Sequence, residues 1–162
     1  MGDAVPGHAT AESKPYRLIA LAALGFGAFT VVSSVIDFIG AIQPLSPTIA
    51  GWRYTSSAAL AGYLAIPVVG VFAAALAAWY LERPNLTKRL ALAAQLVAGL
   101  LLAIWIVFLI DSFAMRSGAK PEERAIGDAG VVQASLKFLL YALVLFLIGR
   151  SLKATRPVSQ GK

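Results

Sequence analysis

The chain has no cysteine and one histidine, His8, among 162 residues. The missing cysteines remove disulfides, thiolate metal sites, haem attachment and thiol chemistry together. No long apolar run contains a histidine, which excludes a bis-histidine haem and a zinc site built from His and Cys. There is no Walker loop or dinucleotide fingerprint, and no Ser-His-Asp or Cys-His set. Ser33, Ser34, Ser56 and Ser57 stand in or near apolar runs without a base, so they read as packing hydroxyls. No catalytic, cofactor-binding or metal-binding residue is expected, and no cofactor.

Charge is scarce too. Fourteen basic and eight acidic residues make up 14% of the chain, against 59% hydrophobic residues, and the mean hydropathy is +0.76. An average soluble domain is about 25% charged and about 45–50% apolar. Twenty-two charged side chains cannot cover this much apolar surface in water, so the composition argues for an integral membrane protein. The net charge of +6 would suit nucleic acid. It suits better a membrane protein that collects Lys and Arg in cytoplasmic loops, and no nucleic-acid partner is expected.

A bilayer core of about 30 Å needs about 20 apolar residues in a helix. Four runs qualify, over about 18–42, 54–81, 90–110 and 129–149. They are continuous and rich in Ala and Leu, unlike the alternating strands of about ten residues that build membrane barrels. The expected fold is an all-α four-helix bundle in the membrane, spanning 17–153, with mobile tails over 1–16 and 154–162. Asp3 and Glu12 precede the first run, which is longer than the core of a signal peptide, so it is expected to be a retained anchor.

Orientation follows from charge. The side holding both termini and the 82–89 loop carries nine basic residues (Lys14, Arg17, Arg83, Lys88, Arg89, Arg150, Lys153, Arg156 and Lys162). The other side carries four, Arg53, Arg116, Lys120 and Arg124. The positive-inside rule then puts both termini in the cytoplasm, with the bacterial inner membrane as the expected location. Tyr16, Trp79 and Tyr80 mark the inner interface, and Trp52, Tyr54 and Phe113 the outer one. Thr87 is the expected N-cap of the third span, and Pro121–Arg124 an expected short surface helix. The sequon Asn85-Leu86-Thr87 falls on the cytoplasmic side and is discounted.

The two halves resemble each other. Arg17, Asp37 and Arg83-Pro84 recur as Arg89, Asp111 and Arg156-Pro157, which reads as a 2+2 parallel repeat about the membrane normal. The plainer alternative is that Ala/Leu-rich helices with basic flanks look alike.

Lys137 lies 13 positions before Arg150, about 20 Å along a helix, inside the fourth span. A lysine there needs a partner or water. Asp111 is the expected partner, with Gln133 one turn away on the same face and Asp37–Arg53 as the analogous outer pair. One reading of this polar cluster is an ion, proton or headgroup site. The other is an ion pair fixing helix register, favoured because no carboxylate sits near the midplane. Ala58, Gly62, Gly70, Ala74 and Ala78 form a small-residue face on the second span, widened by Ala73 and Ala77, with Ala23 and Gly27 as a shorter one on the first. Such faces pack helices closely, within the chain or against a partner. The bulky stretch from Leu100 to Phe108 is expected to face lipid or a docking partner. Pro67 is expected to kink the second span.

The function these features favour is a non-catalytic accessory, assembly or structural subunit of a larger membrane complex. The expected partners are the bilayer and either other membrane subunits or further copies of the chain. The rival is a small oligomeric transporter or channel with the polar cluster near its outer mouth. A lipid-modifying enzyme using Asp37 or Asp111 is a weaker third.

Overall fold

The structure, a computed structural model, describes residues 13–154. The expected tails, with His8 and the Arg156-Pro157 arm of the repeat, lie largely outside those residues. The described part is all-α and contains no strand. Helix α1 runs over Ser13–Ala41, α2 over Ala50–Tyr63, α3 over Ala65–Tyr80, α4 over Pro84–Gly118 and α5 over Pro121–Ala154. Three helices, α1, α4 and α5, are long and apolar enough to cross a membrane; α2 and α3 together supply a fourth only if counted as one bent span.

That bend, 44° between α2 and α3, falls at Leu64. Pro67 lies in the first turn of α3. Its ring has no N–H to donate and collides with the carbonyl four residues back, at Tyr63. The axis therefore breaks where that carbonyl would have been bonded, three residues before the proline itself.

Two antiparallel pairs organise the helices. α1 lies along α3, α4 lies along α5, and α2 leans chiefly on α4. The backbone of α1 approaches that of neither α4 nor α5 closely, so α1 forms one edge of the molecule. The core sits between α2, α3, α4 and α5. It is built from Ala61, Leu64, Val68, Ala94, Ala98, Leu101, Phe108, Ala134, Phe138, Ala142 and Leu145. Tyr54 stacks on Phe108 with ring centroids 5.2 Å apart and an interplanar angle of 12°. Phe138 meets Phe108 from the other side at 6.1 Å.

Both helix pairs close on small residues. A Cβ added to Gly70 would lie 2.8 Å from the Gly27 carbonyl oxygen and would overlap the Thr30 hydroxyl. A Cβ on Gly149 would lie 2.6 Å from Gln95 Cγ and 2.8 Å from the Ala91 carbonyl oxygen. The backbones approach so closely only because those side chains are absent. The small face of the second span is therefore divided. Gly70, Ala74 and Ala78 are buried, Ala58 is half-buried, and Gly62 is open to the exterior with nothing near its missing Cβ. The break at Leu64 turns the two halves of the stripe in different directions.

Three local expectations are corrected. Thr87 is not an N-cap: α4 starts at Pro84, and Thr87 Oγ1 donates to the Arg83 carbonyl at 3.0 Å from inside the helix. Proline's fixed φ suits the first helical position, so it sets the start. Pro121–Arg124 is not a separate surface helix but the first turn of α5. The Leu100–Phe108 stretch is not uniformly outward. Leu101 and Phe108 are buried and Trp105 is half-buried between them, while Leu100, Leu102, Ile106 and Val107 are exposed. Positions 101, 105 and 108 share one helical face, and that face carries core.

Candidate functional site

Charged side chains meet at the end of the molecule away from the α3–α4 turn. Asp111, in the last two turns of α4, is only 3% exposed. Arg53, in the first turn of α2, grips it with both arms of its fork. Nε donates to Oδ2 at 2.9 Å, and Nη2 donates to Oδ1 at 2.6 Å. The remaining arm donates to the Pro47 and Thr48 carbonyl oxygens at 3.1 and 3.3 Å. One guanidinium thus ties α2, the 42–49 loop and α4 together. A planar five-donor fork can do this where an ammonium cannot. Trp52 closes the same loop, its indole N–H donating to the Ile42 carbonyl at 3.0 Å.

The pairing differs from the expected one. Asp111 goes to Arg53 and not to Lys137, and Arg53 goes to Asp111 and not to Asp37. The cause is which helices touch: α2 leans on α4, and this brings the first residues of one to the last turns of the other. Lys137 is half-buried on α5, Gln133 is exposed one turn above it, and Asp37 is exposed on α1. No ion pair to Lys137 or Asp37 forms among the described residues. A second bridge, Arg116–Asp128 at 3.0 Å, links α4 and α5 beyond Asp111 on a more exposed surface.

Below the Arg53–Asp111 clamp an open groove of about 360 Å³ separates α1, α2 and α4. Phe38, Leu60, Ile104 and Val107 line it, and Trp52, Arg53, Ser56 and Ser57 bring polar groups to its wall. At the opposite end a second hollow, of about 600 Å³, is bordered by Arg17, Trp79, Tyr80, Leu81 and Glu82. Near that end Lys153 donates to the Gln95 amide oxygen, joining the last turn of α5 to α4. The described residues hold no group of three or more His, Cys, Asp or Glu placed to bind a metal.

Sequence reasoning missed two features. One is the Gly149–Ala91–Gln95 contact with its Lys153 tie. Ala91, Ala94 and Ala98 on α4 recur at helical spacing and are all buried, a signal as regular as the one on the second span. The other is the Trp105 indole N–H, which is buried and has no hydrogen-bond partner.

The chain is thus an all-α protein with three, or up to four, helices of membrane-spanning length and composition. No family model, curated protein or solved structure matches it.

Proposed function

We propose that this is a four-span membrane protein with both termini in the cytoplasm of a bacterial cell. In this reading it acts as a non-catalytic accessory, assembly or structural subunit of a larger membrane complex. The observation that carries the reading is the commitment of Asp111, the one buried charge among the described residues. Asp111 is held bidentately, and the guanidinium holding it spends its other arm on two loop carbonyls. That arrangement fixes helix and loop positions, with Asp111 itself buried. Apolar side chains cover the outer surface of every long helix, among them Leu18, Phe29 and Ile36 on α1, Leu96 and Ile110 on α4, and Leu136 and Leu140 on α5. A surface this apolar suits lipid and neighbouring subunits. Arg17, Arg83, Lys88, Arg89, Arg150 and Lys153 gather toward the end with the α3–α4 turn, which supports the cytoplasmic assignment of that end. The α1–α3 and α4–α5 pairings accord with the 2+2 repeat.

Gentle detergent extraction of the tagged chain, followed by mass spectrometry of what co-purifies, tests the proposal. A stoichiometric partner of different sequence is expected. Recovery of this chain alone, at any copy number, would overturn the accessory reading.

A further inference from the structure

The groove between α1, α2 and α4 is graded in polarity along its length. On α2 it runs from Trp52 to Leu60, about 12 Å at 1.5 Å per residue. Its mouth lies at the Arg53–Asp111 clamp, and the first two turns of α2 bring Trp52, Arg53, Ser56 and Ser57 to that part of its wall. Its deep end is walled by Phe38, Leu60 and Ala103, at the level where Phe38 meets Tyr63 edge-on at 6.2 Å. Two donors near the mouth are uncommitted. Ser56 is only 9% exposed, and its hydroxyl makes no hydrogen bond among the described residues. Arg53 makes four hydrogen bonds with a fork of five N–H donors, so at least one N–H is left over.

We propose that this groove binds one phospholipid of the surrounding bilayer. An acyl chain lies along the apolar end, and its ester carbonyl oxygen accepts from the Ser56 hydroxyl near the mouth. A buried hydroxyl without a partner is unfavourable, and what it needs here is an acceptor. An ester carbonyl is an acceptor with no donor of its own, so it suits both the hydroxyl and the spare guanidinium N–H. Arg53 is already neutralised by Asp111, so the mouth calls for a dipole and not for a free anion. Trp52 sets the depth, because an indole ring prefers the headgroup level, where the ester groups of a lipid begin. A helix of a second copy fits less well on two counts. It is about 10 Å across, too thick for about 360 Å³ over this length, and in lipid its backbone carbonyls are already bonded within the helix. The inference rests on the membrane embedding proposed above and holds with or without a protein partner.

Native mass spectrometry of the detergent-extracted chain, titrated with palmitoyl-oleoyl phosphatidylglycerol, reads the site. One retained lipid per chain is expected. The dialkyl ether analogue lacks the carbonyl and should bind the wild-type chain about threefold to tenfold more weakly, the worth of one hydrogen bond. Ser56→Ala should remove that preference, and Ala103→Trp, which fills the deep end, should abolish the retained lipid. Equal retention of ester and ether lipids by the wild-type chain overturns the carbonyl contact, and this comparison needs no variant to fold. A folded Ala103→Trp chain that keeps its lipid puts the lipid elsewhere and overturns the site. So does a lipid-free wild-type dimer, which would mean that a second copy covers the groove. A membrane-integral chain that retains no lipid overturns this inference alone, whereas a chain recovered in the soluble fraction of the cells sinks the membrane reading with it.

Discussion

Arg53 and Asp111 are the residues on which the end of the molecule away from the α3–α4 turn depends. Removing the guanidinium by Arg53→Ala leaves the Asp111 carboxylate buried without its counter-charge, which destabilises the fold. The 42–49 loop also loses two of its hydrogen bonds. Thermal unfolding in detergent, followed by tryptophan fluorescence, should show a clear fall in midpoint. Arg53→Lys should recover little of it, because an ammonium keeps the charge but cannot reach two carboxylate oxygens and two carbonyls at once. Full recovery would mean that charge alone matters. Both residues were legible in the sequence as costly polar groups near span ends. Their partnership was not, because spacing within each half suggests neighbours along the chain, while the observed pair depends on α2 leaning across to α4.

Helix contacts rest on where side chains are missing. Gly70→Leu would drive a branched side chain into the Gly27 carbonyl and the Thr30 hydroxyl, and overpacking of this kind costs about 1–3 kcal/mol. Gly62→Ala, on the same nominal stripe, meets nothing and should leave the unfolding midpoint unchanged or slightly raised, since alanine is the better helix former. Equal losses from both would show that the stripe packs as one surface. The stripe was readable from its spacing of four, but its division was not. The bend at Leu64 depends on the proline ring meeting a carbonyl one turn earlier, and its direction comes from tertiary packing. The outer half of the third span misled for a related reason: residues of similar hydropathy cannot be sorted into core and surface until a neighbour is present. Thr87 misled because hydroxyl residues cap helices only when nothing stronger starts them earlier, and Pro84 does.

At the scale of the whole molecule the composition carried most of the reading. Few charges and long apolar runs predict helices of membrane-spanning length, and the described residues form five helices without a strand, three of them long and apolar enough to cross. Sidedness is open to direct measurement. A cysteine introduced as Gly118→Cys should react with a membrane-impermeant maleimide in intact cells, and Thr87→Cys only after permeabilisation. The reverse pattern would invert the topology, and labelling of both from one side would mean that α4 does not cross. The reach of α4 has a mechanical consequence. Its 35 residues extend about 52 Å at 1.5 Å per residue, against a hydrocarbon thickness of about 30 Å. With α5 alongside and Arg116 bound to Asp128, the share of that surplus beyond Asp111, about 10 Å, would stand clear of the lipid as a short braced double stalk. Such a stalk would resist external protease far better than a slack connector, and would hold whatever rests on it at a fixed height above the bilayer.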